Sequence, residues 1–149
     1  MDEEVIEEET TTTGVIEDEP EEVQVIPQKS LAPPLYEVRP GLGQKFQAAN
    51  VKEIIWQTME EQLTGRPYRS DQAVKWSKAI ANGVRQRVQE LEMNRYKILV
   101  QTILLEMKGA GVKCGQRCIW DPETDAYTDH IFKSETIFCY TVVYGVYMY

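Results

Sequence analysis

Apolar positions recur along this chain with two different periods. Between residues 50 and 63, Val51, Ile54, Ile55, Met59 and Leu63 return every three or four residues, the spacing of one helix face. Asn50 and Glu53 have the spacing of a capping box, so this first helix is expected to begin at Asn50. Gly65 and Pro67 are expected to end it. A second helix follows, with Ser70 as its expected N-cap. Its inner stripe is Ala73, Val74, Ser77, Ile80, Ala81, Val84, Val88 and Leu91, and Lys75, Lys78, Arg85 and Arg87 lie mostly off it.

Beyond residue 95 the period changes. Residues 96–107 are rich in Ile, Val, Leu and Thr, and Gly109 and Gly111 mark a turn. Residues 112–120 read as a second strand, 121–125 as a turn, 127–133 as a third strand and 136–149 as a fourth. The expected fold class is α+β: two N-terminal helices packed on a four-stranded antiparallel sheet. The connections are short enough for a meander.

Both faces of this sheet are apolar. The first strand offers Ile98, Val100 and Leu104 on one side and Leu99, Ile103 and Leu105 on the other. The last offers Ile137, Cys139, Val143 and Tyr147 on one side, and Phe138, Tyr140, Val142, Tyr144, Val146 and Met148 on the other. An antiparallel sheet with one wet face alternates apolar and polar residues instead. Two helices cover only one face. A second subunit is the simplest cover for the other, and Phe138, Tyr140, Val142 and Tyr144 are the candidate dimer-facing positions. A linker folded over that face is the competing reading.

Charge divides the chain. Of its 24 acids, 11 lie in residues 1–22, where no base occurs, leaving 13 against all 16 bases. The net −8 therefore belongs to the tail, and the body is slightly basic. Residues 1–24 hold too few large apolar groups to offset ordering entropy and are expected to be disordered in isolation. Residues 25–43 contain Pro27, Pro33, Pro34, Pro40, Gly41 and Gly43 and read as an extended linker, leaving 44–149 as the folded domain. The longest apolar stretch, 136–149, is short of the ~20 residues of a spanning helix, so no membrane association is expected. The acidic N-terminus has the wrong sign for a secretory or mitochondrial signal, and three cysteines do not make a disulfide scaffold, so a reducing cytoplasm is expected.

Candidate chemistry is sparse. His130 is the only histidine, and beside a turn it is expected at the surface. Cys114 and Cys118 are four residues apart on an expected strand, a separation of ~13 Å. That forbids a shared disulfide or zinc ion, and the cysteines are expected to be buried free thiols. The glycines at 41, 43, 109 and 111 match neither a dinucleotide fingerprint nor a P-loop. Asp121, Glu123 and Asp125 have a calcium-loop spacing but lack its Gly and closing Glu, and read as a solvated turn. Nucleic-acid binding through the bases of the second helix is disfavoured by the modest body charge and the acidic tail. No catalytic residue, cofactor or metal is expected.

One ordered set of segments carries a family resemblance. Residues 95–101, Arg-Tyr-Lys-Ile-Leu-Val-Gln, lead into Gly109-Ala110-Gly111-Val112, then Cys118-Ile119-Trp120-Asp121, Thr124-Asp125 and the aromatic-rich end. Together with the helical pair these resemble the Tctex-type dynein light chains. Tyr36-Glu37-Val38-Arg39-Pro40, Lys45-Phe46 and Val51-Lys52 are similar to the second Tctex subfamily of axonemal and ciliary light chains. The acidic tail is outside the pattern. The resemblance implies two helices on an antiparallel sheet, dimerised by strand exchange, with no enzymatic activity. It implies binding of a dynein intermediate-chain segment, pairing with itself or another Tctex-type light chain, and a place in the cytoskeleton of a cilium or flagellum. Matched residue by residue, the exchanged strand and peptide edge are Val112, Lys113, Cys114, Gly115, Gln116, Arg117, Cys118 and Trp120. The readings that compete with an axonemal, outer-arm subunit are a transport-dynein light chain and a dimeric adaptor independent of the motor.

Overall fold

The computed structural model describes residues 39–148 apart from Ala110 and Ile119. The acidic tail and residues 25–38 of the linker lie outside the described residues. Two helices, α1 (Ala48–Leu63) and α2 (Ser70–Gln89), precede three strands, β1 (Tyr96–Glu106), β2 (Ala126–Lys133) and β3 (Ile137–Tyr147). The protein is α+β, with both helices on one face of an antiparallel sheet.

The end of α1 follows local rules. Gly65 takes φ +73, a left-handed conformation that costs glycine little, and Arg66 N–H bonds back to the Leu63 carbonyl. Its beginning does not. The helix starts at Ala48 rather than Asn50, no side chain caps it, and the Asn50 amide donates to Gln47 Oε1 at 2.7 Å from inside the first turn. Phe46 explains the difference. It packs on the helix-side core, so tertiary contact places the chain reversal before residue 48. In α2, Ser70 is the first helical residue and extended Arg69 precedes it without a side-chain cap.

Val51, Ile55, Met59 and Leu63 of α1 are buried against Trp76, Ile80, Val84 and Val88 of α2 and against Ile137, Cys139 and Val143. The buried stripe of α2 runs at a strict spacing of four. Val74, expected inside, is 64% exposed, and Trp76 takes its place with the Arg66 guanidinium over its ring at 5.9 Å. Arg87 ties the helices together, donating to Thr58 Oγ1 at 3.1 Å and Glu61 Oε2 at 2.6 Å.

The strand order is β1-β3-β2, not a meander. β3 is apolar on both faces and so takes the centre, flanked by two antiparallel partners. β1 and β2 are consequently parallel to each other. Glu106 stands opposite Ile137 at one end of β3, and Ala126 stands opposite Gly145 at the other. The connection must therefore travel back eight residues along the sheet, roughly 26 Å. It does so on the face away from the helices, where Val112 and Cys114 meet Phe138, Tyr140 and Val142.

Among the described residues of 112–120, none joins this sheet as a fourth strand. Residues 111–118 make no backbone hydrogen bond to another described residue. The segment keeps the strand alternation nevertheless: Val112, Cys114 and Gln116 are half-buried, while Lys113, Gly115 and Arg117 are exposed. A strand's alternation is present over 112–117; a ladder partner is not, among the described residues.

Candidate functional site

The face opposite the helices is the surface that the fold leaves incompletely covered. Parity places Leu99, Ile103 and Leu105 of β1, Tyr127, Asp129 and Ile131 of β2, and Phe138, Tyr140, Val142 and Tyr144 of β3 on it. The crossover covers the centre, so Phe138, Tyr140 and Val142 are buried within the single chain rather than open to a partner. The margins are bare. Leu99 is 47% exposed, Ile131 and Tyr127 are similarly open, and Trp120 is 84% exposed. Leu99, Cys118, Trp120, Ala126, Tyr144 and Val146 line an apolar groove of about 210 Å³ beside the crossover. The exposed margins on β2, Tyr127 and Ile131, were not among the positions the sequence singled out, because the period alone does not say which margin stays uncovered.

A few polar groups interrupt this face. The Tyr140 hydroxyl donates to Asp129 Oδ2 at 2.8 Å. Burial, and then this carboxylate, push the Tyr140 phenol up to about 12. The Tyr144 phenol is also raised, by burial first and then by Cys118, Tyr127 and Asp129. Gln116 reaches in from the crossover toward the Tyr140 hydroxyl. Its Nε2 is buried, yet it makes no hydrogen bond of good geometry among the described residues.

The far end of the crossover is anchored by the turn before β2. Asp125 accepts the Asp121 and Tyr147 N–H groups at 2.9 and 2.8 Å, and Asp121 Oδ1 accepts that of Glu123 at 2.9 Å. The Tyr96 hydroxyl donates to the Thr124 carbonyl at 2.7 Å. Oxygens in the calcium-like spacing thus bond backbone amides and hold the end of β3 rather than merely facing solvent.

The remaining candidate groups do not converge. Cys114 is half-buried, Cys118 exposed and Cys139 fully buried, all as free thiols, so burial holds for only one of the three. His130 is half-buried on the helix-facing side of β2, opposite Thr141, rather than at the surface. Among the described residues no three metal-ligating side chains come together, and no helix is long and apolar enough to cross a membrane.

The profile of the Tctex-1 family matches residues 45–146, the stretch from just before Phe46 to the penultimate residue of β3. The chain is 34% identical over 114 residues to the dynein light chain Tctex-type protein 2B of Danio rerio, covering 76% of each. It is 31% identical to the protein of the same name from Homo sapiens, covering 76% of this chain and 80% of that one. It is 32% identical over 107 residues to dynein light chain Tctex-type 5-B of Xenopus laevis, covering 72% of this chain and 61% of the relative.

Proposed function

The chain belongs to the Tctex-1 family, and from that premise we propose that it is a non-catalytic light chain of a dynein motor, dimerising through the sheet face opposite the helices and binding a segment of the dynein intermediate chain. The observation that carries this reading is the crossover. Seven consecutive residues, 111–117, alternate like a strand over an apolar face while their N–H and C=O groups have no ladder partner among the described residues. A buried sheet of this kind does not normally end in an unpaired strand. Exchanged between two subunits, the segment keeps its apolar contacts. Its edge then takes an intermediate-chain segment as an added strand, with main-chain hydrogen bonds supplying affinity and pockets for alternate side chains supplying preference. Leu99, Ile131 and Trp120 are buried on dimerisation.

The dimer partner is a second copy or another Tctex-type light chain. The motor proposed is the outer-arm dynein of a cilium or flagellum, placing the protein on the axonemal cytoskeleton. The light chain there stabilises the base of the motor by clamping intermediate-chain segments.

Gly115→Pro tests the mechanism, because it removes one backbone donor and fixes φ in the middle of the segment. The expected result is loss of the dimer on size-exclusion chromatography together with loss of intermediate-chain capture, with helical circular dichroism retained. A monomeric variant that captures the intermediate chain at wild-type strength sinks the proposal. Co-sedimentation with heavy and intermediate chains from axonemes separates a motor subunit from a free adaptor.

A further inference from the structure

Hydrogen-bond parity divides the backbone groups of β1 between its two sides. The register with β3, carried one residue beyond each end of β1, sets Arg95 opposite Met148 and Met107 opposite Thr136. Both are hydrogen-bonded pairs: Met148 N–H donates to the Arg95 carbonyl at 2.7 Å, and Met107 N–H to the Thr136 carbonyl at 2.9 Å. Such pairs recur at every second residue of an antiparallel ladder. The odd-numbered residues of β1 therefore turn their N–H and C=O groups toward β3. Those of Ile98, Val100, Thr102 and Leu104 turn outward, where β1 has no neighbouring strand. Among the described residues these outward groups meet no hydrogen-bond partner.

A bare edge of this kind is a template for another chain, and proteins ordinarily blunt it with charge, proline, a bulge or a short strand. β1 has none of these along its middle. It is 11 residues long, its register is unbroken from Tyr96 to Glu106, and residues 98–105 hold no charge, glycine or proline. The opposite edge of the sheet is guarded: β2 has 8 residues and carries Asp129, His130 and Lys133.

The flank of α2 overhangs the bare edge. α2 packs on β1, and α1 packs on β2. Gly83 and Arg87 lie on the side of α2 that meets Thr58 of α1. Helical spacing puts Val74, Lys78 and Arg85 on the other side, above the outer edge of β1. All three are exposed, and neither base is ion-paired among the described residues.

We infer that the outer edge of β1 is a strand-addition site for an extended segment of a partner protein, acidic at the positions facing α2 and apolar at those between. Main-chain bonds to Ile98, Val100, Thr102 and Leu104 supply the affinity, and alternate side chains supply the preference. One set of side chains on the added strand falls under α2, where Lys78 and Arg85 favour carboxylates. The other set falls beside Leu105, which is 37% exposed and favours apolar groups. A basic segment would bring like charges together and is rejected. The site shares no residue with the crossover, so it stands whether or not the chain dimerises through the open face.

The test uses the full-length chain and a synthetic peptide alternating Glu and Val. An alternating Lys and Val peptide and a scrambled Glu and Val peptide are the controls. Amide hydrogen exchange is read residue by residue by NMR. The N–H groups of Ile98, Val100, Thr102 and Leu104 are expected to exchange freely in the chain alone, and to slow by about tenfold or more with the acidic peptide only. Val100→Pro removes one outward donor and no bond to β3, a place where an edge strand admits proline, and it should weaken binding by about tenfold. Lys78→Glu combined with Arg85→Glu changes only exposed side chains, so it reads the charge preference even where the proline variant fails to fold. It should weaken binding roughly tenfold, and added salt should weaken the wild type. The site is overturned if the acidic peptide leaves the four amides unslowed, if the lysine peptide binds equally well, or if the charge-reversed chain binds like wild type. If the four amides are already slow in the chain alone and become free on dilution, the edge holds a second copy, and the partner segment is overturned.

Discussion

The ring of Phe46 lies directly on Gly145, so a Cβ at residue 145 would overlap Phe46 Cδ2 and lie 2.7 Å from Cε2. Phe46 precedes α1, and Gly145 is near the end of β3, so this contact joins the entry of the first helix to the central strand. The ring has little room to retreat, because it also packs on Tyr96, which in turn packs edge-on against Tyr147. Gly145→Ala is expected to destabilise the fold by about 1–3 kcal/mol, the usual cost of overpacking. Combining it with Phe46→Ala should cost less than the sum of the two single changes. Urea unfolding of the four chains measures the coupling, and strict additivity contradicts the contact.

Thr102 and Thr141 stand directly opposite each other on β1 and β3, and their hydroxyls are 3.1 Å apart on the helix-facing side. Thr141 is fully buried. Thr141→Val leaves the Thr102 hydroxyl without that partner and is expected to cost about 1 kcal/mol. The double change to Val at both positions removes donor and acceptor together and should cost less than the single. Equilibrium unfolding of the single and double variants checks the order.

Cys139 makes stability depend on alkaline pH. Burial pushes its thiol up to about 11 from an ordinary value of 9, with a Thr141 hydrogen bond acting weakly the other way. Between those values the unfolded chain loses the proton first. The contribution is therefore complete below about pH 8 and is lost as pH rises toward 11. Wild type should lose roughly 1 kcal/mol more than Cys139→Ala between pH 9 and 10. The raised Tyr140 phenol begins to act near the top of that window, but it does so in both chains, so the difference between them reports the thiol. Parallel slopes for the two chains would show that the thiol is not held protonated.

Leu99 tests the open margin of the sheet. It is half-exposed in the single chain and shares the groove with Trp120. Leu99→Lys should change the stability of the monomer by less than about 1 kcal/mol, as substitutions at open positions do. It should weaken self-association strongly, because a buried charge in the interface has no partner. Sedimentation equilibrium across a concentration series checks the second effect and chemical unfolding at low concentration the first.

Much of the fold was legible residue by residue. Val51, Ile55, Met59 and Leu63 declared one helix face, and Gly65 declared its end. The parity of Leu99 against Ile98, and of Phe138 against Ile137, separated the two faces of the sheet correctly. The errors share a cause. Asn50 looks like a cap only while Phe46 is not known to pack on Gly145 and Tyr96. Val74 and Trp76 both lie near the edge of an apolar stripe, and the underlying surface decides which is covered. The segment alternates like a strand over 112–117, and a strand is assigned only when something pairs with it.

The sequence by itself determined what repeats within a few residues: the helical stripes, the two apolar faces and the absence of a recognisable catalytic motif. These depend on the 3.6 and 2.0 periods of the backbone, which a linear string displays directly. Tertiary structure decided the strand order, the path of the crossover and the meeting of Tyr140 with Asp129. Each depends on partners separated in the chain by connections whose course local periodicity does not constrain. β3 took the centre because apolar side chains on both faces need cover on both, and with β3 between them, parallel β1 and β2 required a connection that returns across the open face.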